Sequence, residues 1–135
     1  MTPCADQGDK ARSRSLAENV IQKKSFRFAL AIINLYCRLQ DKHKFVLSKQ
    51  VLRSGTSIGA NVEEAIAGQS RKDFVSKMAI TTKEARETKY WLHLLQESDL
   101  LDIDLRKELA GADELLRILS SIVMTTKQNA TIHNS

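Results

Sequence analysis

His43, His93 and His133 are the side chains suited to metal or general-base chemistry, and their spacing works against both. A di-metal helical bundle supplies Glu-x-x-His pairs from facing helices. Here Gln40 stands three positions before His43 and Tyr90 three before His93, so neither histidine has the required glutamate. His133 lies beyond the last periodic apolar residue, and no cysteine and histidine cluster has zinc spacing. No Gly-x-x-x-x-Gly-Lys-Ser/Thr loop is present to cradle a phosphate. Ser57, flanked by glycines at 55 and 59, reads as close packing rather than as a nucleophile. The expectation is a non-enzyme with no cofactor, no metal and no small-molecule substrate.

Polar residues do gather in one region. Ser54, Ser57, Asn61 and Glu64 fall at i, i+3, i+7 and i+10, on one side of a helix if the stretch is helical. Gly55 and Gly59 interleave with them and would let another backbone approach closely. Each interior glycine costs roughly 1 kcal/mol against alanine, so the same stretch is also compatible with a loop. Downstream, Glu84, Arg86, Glu87 and Thr88 supply polar groups at a similar depth if the two segments run antiparallel. Together they form either a ligand pocket or a hydrogen-bonded layer that fixes helix register at some cost in stability.

The elements that must position these groups are helices. One proline and five glycines in 135 residues are too few for a turn-rich β architecture, and the length suits one core. Residues 1–14 lack periodicity and read as a disordered N-terminal tail. Ser15-Leu16-Ala17-Glu18 fits a capping box that opens the first helix. Two apolar stripes follow, Phe26, Ala29, Ile33 and Tyr36 beside Phe28, Ile32, Leu35 and Leu39. A simple bundle needs one stripe, so the other is either thick core or a surface for another subunit.

The second helix carries Val46, Val51, Ile58, Val62 and Ala65, and Ser70-Arg71-Lys72-Asp73 caps the third. The third stripe is Phe74, Met78, Thr81, Ala85, Thr88, Leu92 and Leu95. Tyr90 and Trp91, adjacent and so about 100° apart on that helix, place one ring inward and the other towards solvent or a neighbouring subunit, and both read as packing residues rather than as base-stacking platforms. Asp102 and Asp104 can cap a fourth helix with the stripe Leu105, Leu109, Ala112, Leu116, Leu119, Val123 and Thr126. Short connections make successive helices antiparallel. The predicted fold is all-α, an antiparallel up-down-up-down four-helix bundle over 15–128, with a flexible C-terminal tail at 129–135.

A formal charge of +5 points to anionic partners. The candidate contacts to nucleic acid are Lys23, Lys24, Arg27, Arg53, Arg71, Lys72, Lys77, Lys83 and Lys89. Interspersed acids such as Glu84 and Glu87 allow the plainer reading of a solvated face with i,i+4 pairs. Cys4 and Cys37 do not make a disulfide framework, and no secretory signal or membrane-spanning run is visible. A cytoplasmic protein with no membrane partner is expected.

The run Ser54-Gly55-Thr56-Ser57-Ile58-Gly59-Ala60-Asn61-Val62-Glu63-Glu64-Ala65 is followed by Lys72-Asp73-Phe74, Lys77-Met78 and Lys83-Glu84-Ala85-Arg86-Glu87-Thr88-Lys89-Tyr90-Trp91-Leu92. Taken together, these resemble the bacterial four-helix-bundle proteins related to the 23S rRNA intervening-sequence protein. The resemblance covers about Ser25 to Lys127, and Ala65 stands where many members carry glycine. It implies a homo-oligomeric, pentameric bundle. It also implies kinship with accessory proteins of diversity-generating retroelements, which bind nucleic acid and a reverse transcriptase. Most members encoded outside rRNA genes have no assigned function. Two classes of function stay open: a self-assembling interaction module with no nucleic-acid binding, and a basic oligomeric scaffold for RNA or DNA.

Overall fold

The computed structural model describes residues 15–43, 45–68, 70–98 and 102–134, without the side chains of Phe45 and of residues 130–134. Helix α1 (Leu16–Asp41) starts where Ser15 leaves extended backbone, its Oγ accepting the Glu18 N–H at 3.1 Å. Glu18 is buried there, in the first turn, where the helix dipole favours a carboxylate. The helix stops at Lys42 and His43. His43 takes a left-handed φ of 60°, and its N–H closes on the Gln40 carbonyl at 3.0 Å. Helix α2 spans Phe45–Ala67 without a break, so the small-residue stretch from Ser54 to Asn61 is helix and not loop. Helix α3 (Arg71–Glu97) is capped by Ser70, whose Oγ accepts the Asp73 N–H at 3.0 Å.

Helix α4 (Arg106–Asn134) continues through residues 129–134, which the sequence had suggested were a tail. No glycine or proline lies between Thr126 and Asn134, so nothing local stops propagation. The proposed tail 1–14 lies outside the described residues. Of the two aspartates expected to cap α4, Asp104 does so, accepting the Arg106 N–H at 3.0 Å while also gripping the Arg106 guanidinium at 2.9–3.2 Å.

Cross-helix contacts fix the topology. From α1 to α2 they run Gln22–Glu63, Ser25–Gly59, Ile32–Gly55 and Gln40–Ser48, one number rising as the other falls. From α2 to α3 they run Ser54–Thr88, Ser57–Glu84 and Glu64–Lys77. Lys89–Asp113 and Gln96–Leu105 tie α3 to α4. Phe28–Gly111 and Lys24–Glu114 tie α4 back to α1. Each pair is antiparallel, α1 packs only on α2 and α4, and α3 occupies the opposite corner. This is an up-down-up-down bundle.

The core resolves what the apolar pattern left open. On α1 the buried line is Ile21, Ser25, Phe28, Ile32, Leu35 and Leu39, while Phe26, Leu30 and Ile33 stay outside. On α2, Val51, Ile58, Val62 and Ala65 are buried, but Val46 is 75% exposed, and Ser48 takes the interior position nearest the helix start. The α3 line is buried as expected. Leu105, just before α4, is buried, as are Ala112, Leu115, Leu119 and Ile122 on the helix, with Leu109, Leu116 and Val123 only partly covered. Its lower part is therefore turned by one residue from the expected stripe.

The α4 cap makes a pH prediction. Hydrogen bonds from the Arg106 side chain and N–H lower Asp104 from the usual 3.8 to about 2. A carboxylate held down in the folded state contributes stability above 3.8, and that contribution is lost as pH falls towards 2. Asp104→Asn should flatten this acid limb. Thermal midpoints measured for both proteins across that range test it; curves of identical shape would deny Asp104 the role.

Candidate functional site

Three surfaces hold the residues suited to function: the α2–α3 seam, the outer face of α1 and the outer face of α3.

In the seam, Thr88 Oγ1 lies 2.9 Å from Ser54 Oγ and 2.8 Å from the Glu84 carbonyl, and Ser54 Oγ lies 3.0 Å from the Gln50 carbonyl. Each hydroxyl has one proton, so one bonds its own helix while the other bridges. Ser57 Oγ lies 3.0 Å from Glu84 Oε1 and 2.7 Å from the Ser54 carbonyl, and Asn61 Nδ2 donates to the Ser57 carbonyl at 2.9 Å. Arg53 caps the row, pairing with Glu84 at 3.3 Å and with Glu87, which also accepts the Trp91 Nε1–H at 3.0 Å. At the far end Lys77 meets Glu64 at 2.8 Å.

The structure thus brings Ser54, Ser57, Glu84 and Thr88 together. Asn61 and Glu87 border this row and Glu64 lies at its far end, whereas Gly55, Gly59 and Arg86 are turned away from it. Gly55 faces the Ile32 side chain and Gly59 faces the Ser25 backbone, both on α1. Arg86 points to solvent. The seam hydroxyls all have partners within the bundle. Among the described residues, the one buried side-chain oxygen without a partner is Oε1 of Glu108 on α4, whose other oxygen pairs with Arg38 at 3.1 Å. Glu108 borders a groove of about 300 Å³ between α1 and α4, floored by Phe28, Ala31, Gly111 and Leu115. No group of three or more His, Cys, Asp or Glu suited to a metal ion occurs among the described residues.

The nine candidate cations divide into two groups. Lys24, Arg53, Lys77 and Lys89 are paired with Glu114, with Glu84 and Glu87, with Glu64 and with Asp113 respectively. Lys23 and Arg27 on α1, and Arg71, Lys72 and Lys83 on α3, are exposed and make no ion pair within the described residues. Arg86 joins this second group. Its position near Glu84 and Thr88 in the sequence predicts a place in the seam, but spacing along one helix does not show which side meets a neighbour.

On α1, Phe26, Leu30 and Ile33 are 64%, 49% and 43% exposed, and exposed Cys37 continues their line at i+4. Because α1 and α3 stand at diagonal corners, this apolar stripe and the cations on the outside of α3 face away from each other. No helix of the described residues is long and apolar enough to cross a membrane.

The family model for 23S rRNA-intervening sequence proteins matches residues 17–121. The chain belongs to that family. A crystal structure of a protein of unknown function from the S23 ribosomal protein family, from Bacteroides thetaiotaomicron, is 45% identical and superposes with a TM-score of 0.76. The match covers 81% of this chain and 99% of that one. No curated protein matches. For this 23S rRNA-intervening sequence family member, the matched region takes in the seam, the α1 stripe and the α3 cations alike.

Proposed function

We propose that this protein is a non-enzymatic homo-oligomeric scaffold, closed through the outer stripe of α1 and presenting the outer face of α3 to nucleic acid. The observation that carries this reading is the diagonal placement of two faces, uncovered Phe26, Leu30 and Ile33 on α1, flanked by unpaired Lys23 and Arg27, and unpaired Lys72, Lys83 and Arg86 on α3, where Ile80 and Leu94 are also exposed. A folded monomer gains nothing from three aligned exposed apolar side chains, whereas subunit contact removes them from water. A closed ring of identical subunits, five by the family resemblance, repeats a +5 chain around an axis and sums modest fields into a strong one. The free, exposed Cys37 suits the reducing cytoplasm proposed as its setting.

A second reading is favoured by the four cations already engaged inside the chain: a self-assembling interaction module that binds no nucleic acid. Light scattering on a size-exclusion column separates the two, run with and without a mixed RNA and DNA pool at low and moderate salt. The scaffold reading expects a mass of several times 15.2 kDa that shifts to a salt-sensitive complex. An oligomer indifferent to the pool supports the interaction module. A 15.2 kDa monomer indifferent to the pool overturns both.

A further inference from the structure

We infer that the outer face of α3 is a binding site for single-stranded nucleic acid, with Tyr90 as its base-stacking platform; this rests on the nucleic-acid reading above. Lys83, Arg86, Tyr90 and His93 follow at i, i+3, i+7 and i+10, and Lys72 lies three helical turns before Lys83 on the same side. All five are exposed. At 1.5 Å per residue they extend over roughly 30 Å, a track long enough for several nucleotides.

Tyr90 does not serve the core. Its neighbour Trp91 packs against the core, and Tyr90 is 58% exposed. It is nonetheless braced, standing edge-on to Trp91 with ring centroids 5.4 Å apart and planes at 63°. Trp91 is tethered by its N–H to Glu87, which Arg53 holds in turn. A ring oriented before binding loses little freedom when a base stacks on it. The two nearest carboxylates, Glu84 and Glu87, are occupied by Arg53, Ser57 and Trp91, which limits their opposition to a phosphate chain. Glu97 lies one turn beyond His93, at the end of the track.

Strand number follows from this geometry. A duplex hides its base faces inside the stack, so an exposed tyrosine face has nothing to meet there. An unpaired strand offers those faces and a single line of phosphates for Lys72, Lys83 and Arg86. RNA and DNA share this chemistry, and the probes below separate them.

The test is fluorescence anisotropy on the full chain, with labelled 20-nucleotide RNA and DNA oligomers of one mixed sequence and with their duplexes. Wild type should bind one or both single strands at least several-fold tighter than the duplex, with a change in Trp91 emission. Tyr90→Ala should weaken single-strand binding about tenfold, while Tyr90→Phe retains it. Lys83→Glu with Arg86→Glu should abolish binding, and Lys83→Gln should lower the salt slope by about 0.7. Circular dichroism confirms that each variant is folded. Duplex binding equal to or tighter than single-strand binding, or wild-type affinity in Tyr90→Ala, overturns this inference and leaves the broader reading standing. A Tyr90→Ala oligomer that falls apart assigns the face to subunit contact and overturns it too. Absence of binding to every probe overturns the nucleic-acid reading beneath it.

Discussion

Gly55→Ala is expected to destabilise the bundle by about 2 kcal/mol, whereas Gly59→Ala, one turn later on the same helix, is expected to be neutral or mildly stabilising. A Cβ at 55 would stand 2.9 Å from both Ile32 Cγ1 and Cγ2 and 3.3 Å from Ile32 Cβ. Ile32 is fully buried and β-branched, so its γ-carbons have one good helical rotamer and cannot swing aside. The α1–α2 pair must spread, at an overpacking cost of about 3 kcal/mol that roughly 1 kcal/mol of helix propensity partly offsets. At 59 the new methyl would lie 3.4 Å from the Ser25 carbonyl oxygen, an ordinary contact, and only the propensity gain remains.

Changing the partner should reverse the sign. Ile32→Ala alone should cost about 4 kcal/mol through lost burial and the cavity left behind. In that background Gly55→Ala no longer clashes and fills part of the void, so it should stabilise by about 1 kcal/mol. Urea unfolding of the four proteins in this cycle measures the coupling. Equal effects of Gly55→Ala in both backgrounds would show that the close approach at Ile32 does not restrict this site.

Phe26→Asp with Ile33→Asp is expected to convert the proposed oligomer to a 15.2 kDa monomer without loss of helix. Both side chains project from the bundle, so the carboxylates are hydrated in the separated chain. In a subunit contact the same carboxylates would be buried without partners, at a cost of several kcal/mol each. That exceeds what a modest interface can absorb. Affinity for long nucleic acid should fall on the order of a hundredfold as multivalency is lost, while binding of a short oligomer to a single α3 face changes little. Light scattering reads the mass, and anisotropy with two probe lengths reads the affinities. A variant that keeps the wild-type mass would show that subunits do not meet through the α1 stripe.

Features governed by near neighbours were legible in the residues. Ser15 and Ser70 cap their helices with the hydrogen bonds that their side chains and positions imply, and the α3 line from Phe74 to Leu95 is buried throughout. The family motifs, too, lie in one continuous stretch. Capping and amphipathic period are set within a turn or two of the chain, which is why four helices and their order can be derived without coordinates.

Rotation about each helix axis cannot be derived that way. Adjacent stripes on α1 differ by one or two positions, and both are apolar, so only packing against α2 and α4 selects Phe28, Ile32 and Leu35 and leaves Phe26 and Ile33 outside. The same small rotation puts Leu115 and Ile122 inside α4 in place of Leu116 and Val123. It also divides the α2 polar stretch, turning Ser54 and Ser57 to α3 and the glycines to α1. Which cations remain free is likewise decided across helices, since Lys77 and Lys89 find carboxylates on neighbours while Lys83 and Arg86 do not. By itself, then, the sequence determined the helices, their caps and order, the family and the basic character of the chain. Only the tertiary structure decided which faces are spent on the core and which remain for partners, because that depends on what each helix meets across the bundle.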